Sequence, residues 1–141
     1  MPLTTAQIST LRTAILADTA LTVHVTANND TAIASYYSTA TTTKVFRGVI
    51  PSYEVINNTV PADWASLTAD AKQRYQTLTG AGQVDTSTLN VRDAFLAMFG
   101  STTTTRANLT NMAQRFSSRG ENLLGSGVVV HHLDVAQALR G

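Results

Sequence analysis

The chain has 141 residues, of which 43% are hydrophobic, a length that suits one compact domain and leaves little room for a second of ordinary size. Ten Lys and Arg stand against nine Asp and Glu, so the net charge is +1 and only 13% of residues are charged, about half the usual share of roughly 25%. With the basic residues spread from Arg12 to Arg140, charge-driven nucleic-acid binding is not expected, and the absence of cysteine excludes disulfides and thiolate metal sites.

Thr and Ala, 23 and 19 residues, fill much of the place that charges would take on the surface. The N-terminal Met1-Pro2-Leu3-Thr4-Thr5 lacks the basic and apolar regions of a cleaved export signal, and the longest purely aliphatic run in the C-terminal region, Val128-Val129-Val130, is far too short to span a bilayer. A soluble protein made in a reducing cytoplasm is therefore expected, with no membrane partner and no specific nucleic acid.

Along the chain, Ile8, Leu11 and Ile15 repeat at helical spacing over 4–18, with Thr4 or Thr5 placed to cap. The β-branched stretch 21–26 reads as extended, and Asn28-Asn29-Asp30 opens a second helix carrying Ile33, Tyr36 and Tyr37. The run of Thr after Ser38 ends it, and 44–50 reads as an extended link. A turn or two of helix over 52–58 and a new start at Pro61 precede a strong helix from Thr68, with Tyr75 and Leu78 inward and Gly80 as its stop. Val91, Ala94, Phe95 and Met98 mark the next helix. Leu109, Met112, Ala113 and Phe116 then mark one capped by the polar run at 101–105, which either is interrupted at Gly120 or continues through 121–124. Residues 128–132 read as extended, and a short last helix carries Val135 and Leu139. The expected fold is all-α: a compact bundle of about five or six short helices with short extended segments near 21–26, 44–50 and 128–132. It forms a single helical domain over 1–141, with 38–51 and 126–141 as interaction arms.

Chemistry-bearing clusters are sparse. His131, His132 and Asp134 are metal-ligand residue types, but adjacent side chains of an extended segment diverge, so no metal site is expected. Asp85-Thr86-Ser87 lacks the glycine of an aspartic-protease motif, Gly80-Ala81-Gly82 lacks the Lys of a phosphate loop, and no nucleophile elbow is present. No catalytic residue, cofactor or enzymatic activity is expected. Trp64, Tyr75, Phe95, Met98, Met112 and Phe116 read as core rather than a cofactor or peptide groove, and Arg92, Asp93, Arg115, Arg119 and Glu121 either as ion pairs between helices or subunits or as exposed pairs worth about 0–1 kcal/mol.

Several segments in order carry a family resemblance over nearly the whole chain. They are Leu3-Thr4-Thr5-Ala6-Gln7-Ile8, Lys44-Val45-Phe46-Arg47, Asp63-Trp64-Ala65-Ser66-Leu67 leading into the helix from Ala71 to Leu78, Asn90-Val91-Arg92-Asp93-Ala94, Arg106 with Ala113-Gln114-Arg115, Arg119-Gly120-Glu121-Asn122-Leu123 and Asp134-Val135-Ala136-Gln137-Ala138-Leu139. Together they resemble short helical virion-structure proteins of tailed bacteriophages, of the head-tail connector or adaptor type. The resemblance implies a structural protein of the virion that forms a homo-oligomeric ring, such as a dodecamer, between portal and tail, with phage portal and tail proteins as partners. A tail or baseplate component is the alternative within the particle, and a helical binding module the alternative outside it. The segments expected to reach a neighbour are Lys44, Val45, Phe46 and Arg47, and Val128, Val129, Val130, His131 and His132.

Overall fold

The computed structural model describes residues 2–141. In chain order the elements are α1 (Thr5–Ala17), a single 3-10 turn (Thr19–Leu21), α2 (Thr22–Thr26), α3 (Asp30–Ser38), β1 (Ala40–Phe46), β2 (Val49–Pro51), α4 (Ser52–Asn57), α5 (Pro61–Ala65), α6 (Ala69–Thr79), β3 (Gln83–Asp85), α7 (Leu89–Met98), α8 (Thr104–Met112), β4 (Gln114–Ser118), α9 (Arg119–Leu124) and α10 (His132–Arg140). Two compact units result, one from residues 2–43 with 116–141 and one from 44–115. The strands form two two-stranded sheets, β1 with β4 and β2 with β3. The Arg47 amide donates to the Ala113 carbonyl at 2.8 Å and the Arg119 amide to that of Thr39 at 3.0 Å, the ordering of an antiparallel pair.

The first unit is built on α1, α3 and α10. Thr4 and Gln7 form a reciprocal capping box that satisfies amides at the start of α1, and the spacing of Leu11 and Ile15 puts both inward. They meet Leu21, Ile33, Ala34 and Tyr37, with Val130, Val135 and Ala138 closing the core from the C-terminal side. Burying a Leu, Ile or Val of this kind contributes about 1.5–3 kcal/mol. Asn29 caps α3 through the Ala32 amide, and Asn28, at φ 53°, makes the left-handed turn before it.

In the second unit, β2 and β3 pair antiparallel with Ile50 directly opposite Val84, and both are buried. Val55, Phe95, Phe99 and Leu109 complete the core around Tyr75. The Tyr75 ring lies 4.9 Å from Trp64 and meets Phe95 and Phe99 nearly edge-on at 6.1 and 6.3 Å. Its hydroxyl lies 2.8 Å from Thr59 Oγ1, so the polar end is satisfied. Asp63 on α5 reaches α8, where one carboxylate oxygen accepts from the Thr105 amide at 3.0 Å and from its hydroxyl at 2.7 Å. Thr105 Oγ1 in turn accepts from the Val60 amide at 2.8 Å.

The all-α bundle of five or six helices is not what forms: ten α-helices and four strands occur among the described residues. Residues 21–26 are helical from Thr22, because Asp18 takes the Ala20 amide at 2.9 Å and starts a turn that buries Leu21. The few tenths of a kcal/mol by which β-branched residues disfavour helix are small beside that burial. Residues 128–132 pair with no strand among the described residues; Val130 plugs the core and His132 already begins α10. Residues 44–50 lie in β1, the Arg47–Gly48 connection and β2. The helix expected to carry Phe116 as far as Gly120 or Leu124 instead ends at Met112 and is followed by β4 and α9. Fully buried Ser117 explains the break: its hydroxyl lies 3.0 Å from that of Thr41, 3.2 Å from the Thr43 carbonyl and 2.6 Å from Asn122 Oδ1, partners a helix would not supply.

Candidate functional site

Among the residues expected at an interface, Phe46 and Lys44 are exposed and Val45 half-buried on β1. Arg47 is used by the fold: it forms an ion pair with Glu54 at 3.0 Å and donates to the Met112 carbonyl at 3.2 Å. In the other unit Val129, His131 and His132 are exposed, Val128 is half-buried and Val130 belongs to the core. Asp134 serves the start of α10, accepting the His131 amide at 2.8 Å. No group of three His, Cys, Asp or Glu that could hold a metal occurs among the described residues.

Large apolar side chains stand in solvent in both units. Leu133 at the start of α10 is 69% exposed, and Val23 on α2 and Leu16 on α1 are also largely open. In the second unit α4 presents Tyr53, 61% exposed, and Ile56 one turn later, after the exposed Val49 of β2. Phe116, expected in the core, is exposed on β4.

The second unit also has a cleft of about 290 Å³ running from Phe46, Leu89 and Leu96 at the surface down to Val84, Phe95 and Leu109 in the core. Arg92 of α7 lines it. Its guanidinium lies 3.7 Å from the Phe46 ring centroid, and Nη1 donates to the Thr86 and Ser87 carbonyls, both at 2.9 Å. Thr86 is buried, and its hydroxyl donates to the Arg47 carbonyl at 2.6 Å, which fixes the turn that Arg92 grips. Sequence spacing could not have shown this cleft, because Phe46 and Arg92 lie on elements separated by three helices and two strands. Arg92, read from sequence as an ion-pair residue, is instead held by carbonyls and a ring.

The first unit carries a polar cluster at Asp18, Tyr36 and Arg119. The Tyr36 hydroxyl donates to Asp18 Oδ2 at 2.6 Å and accepts from Arg119 Nη1 at 2.6 Å, while Arg119 Nε donates to Thr39 Oγ1 at 3.0 Å and the guanidinium lies 4.3 Å from the Tyr36 centroid. The Tyr36 hydrogen bond, with the Ala20 amide, holds the Asp18 carboxyl below the usual carboxylate range and raises the Tyr36 phenol. Burial pushes the neighbouring Tyr37 phenol up to about 12. Glu121 closes a capping box with Ser118 and accepts the Gly127 amide at 2.8 Å.

No protein-family model, no curated protein and no solved structure matches the chain. The chemistry on display is apolar contact from a lightly charged surface, together with one cation held beside an apolar cleft.

Proposed function

We propose that the chain is a structural virion protein of a tailed bacteriophage, a head-tail connector or adaptor that forms a ring between portal and tail and acts by assembly, with no catalytic step. The observation that carries this reading is the number of large apolar side chains left in solvent, among them Tyr53, Ile56, Val129 and Leu133, on a chain only 13% charged. A surface of that kind gains by being covered, and a ring covers it with copies of the chain and with the proteins above and below. Short helices with exposed apolar ridges suit side-by-side packing about a symmetry axis. The ordered series of segments resembling phage connector proteins supports the same assignment.

The test is binding to purified portal assemblies. Retention of the chain on the portal ring in a fixed ratio, lost when Tyr53 and Leu133 are both replaced by Asp, supports the assignment. No retention on portal or on tail assemblies refutes it.

A further inference from the structure

We propose that the cleft of the second unit is a binding site for a small amphiphilic carboxylate, with its apolar part against Leu96, Leu109 and Met112 and its carboxylate on Arg92. Three observations converge on this. First, the cleft reaches core residues: Val84, Phe95 and Leu109, each nearly buried, form part of its lining, so an apolar group entering it would finish a core that the 44–115 unit leaves open. At about 290 Å³ it lies just below the range of organic-ligand sites, roughly 300–1,000 Å³, which suits a small ligand, and its lining is mostly apolar with few polar groups, as such sites are. Second, the cation is fixed in place. Arg92 Nη1 is anchored by two carbonyls and the guanidinium is stacked on Phe46, so little side-chain freedom remains to be lost on binding. Third, the other N–H edge of that guanidinium, Nε and Nη2, meets no acceptor among the described residues. A carboxylate fits such an edge with two parallel hydrogen bonds.

Asp93 also lines the cleft and is exposed. Its negative charge opposes an anion there, which limits affinity and gives the electrostatic claim a sign. Removing Arg92 and removing the charge of Asp93 have opposite effects on a carboxylate, and neither has much effect on an uncharged ligand of the same length.

The experiment compares octanoate with 1-octanol by titration calorimetry on the full chain, with amide chemical-shift mapping. The expected result is octanoate binding with shifts confined to α7, α8 and the Phe46 region, at least about fivefold tighter than octanol. Arg92→Gln should abolish that preference, and Asp93→Asn should strengthen octanoate about two- to fivefold while leaving octanol unchanged. Leu96→Trp, placed at the partly exposed rim, should block both ligands. Because Arg92 also holds the Thr86 and Ser87 carbonyls, the exposed Asp93→Asn variant keeps the test decisive should Arg92→Gln fail to fold. Equal affinity for acid and alcohol, no binding of either, or shifts centred on Tyr53 or Leu133 would overturn the assignment. So would self-association that protects the cleft and excludes octanoate. The portal-binding assay is independent of all these outcomes.

Discussion

Replacing Thr105 by Val tests whether the contact between α5 and α8 is held by hydrogen bonds or only by packing. The two side chains are nearly the same shape, and Thr105 is fully buried, so the change removes a hydroxyl without opening a cavity. Asp63 loses a hydrogen bond of 2.7 Å to a carboxylate, and the Val60 amide loses its acceptor at 2.8 Å. A hydrogen bond to a charged group contributes about 1.5–3 kcal/mol, and a stranded amide costs about 1–3 kcal/mol. Val60 is half-buried and regains part of that from water, so the expected loss is about 3 kcal/mol. In a unit of this size that corresponds to a fall in Tm of about 12–24 °C. Trp64, the only tryptophan, packs against the same core, so its fluorescence during urea or thermal unfolding follows this unit. Thr105→Ser keeps the hydroxyl and loses one methyl, and should cost about 1 kcal/mol. If the Val variant proves as stable as the Ser variant, the hydrogen bonds contribute nothing net and the account of this contact is wrong.

The remaining predictions concern pH, backbone and surface. The Asp18 carboxyl is held below its ordinary value of 3.8, so its contribution to stability is present above that value and is lost as pH falls through the lower folded-state value. Tyr36→Phe removes the main cause, so denaturant titrations between pH 5 and pH 2 should show a shallower acid-side loss than in the unsubstituted chain, and an unchanged slope would count against the assignment. Gly82 sits at φ +84° in the connection before β3, and its carbonyl accepts from the Ser52 amide, so Gly82→Ala should cost about 1–2 kcal/mol in equilibrium unfolding despite open space around it. Leu133→Asp and Tyr53→Asp, at positions largely in solvent, should change unfolding free energy by less than about 0.5 kcal/mol while reducing assembly seen by light scattering.

Local signals were readable where a cap and a periodic face coincide. Thr68 accepts the Ala71 amide at the start of α6 and Tyr75 points inward, both visible from the spacing, and Thr4 caps α1 in the same way. What was not readable rests on partners distant in sequence. Phe116 looks like part of a helical stripe until Thr41 and Thr43 of β1 are placed beside Ser117, and then Ser117 turns inward and Phe116 outward. The stretch from Thr22 to Thr26 has the composition of a strand, yet the Asp18 turn and the burial of Leu21 decide for helix. The Arg92 cleft joins β1, α7 and α8, so no window of sequence contains it. The exposure of Leu133 and Tyr53 was hidden for another reason: neither belongs to a periodic apolar run that assigns it a face, and only the packing shows which face is left over.

The central claim is assembly, and the most direct measurement is the solution mass of the purified chain, alone and after mixing with purified portal rings, by light scattering. A ring of the chain, by itself or docked on the portal in a fixed ratio, is the predicted result. A chain that stays at 15.0 kDa at every concentration and leaves the mass of both portal and tail assemblies unchanged would contradict it.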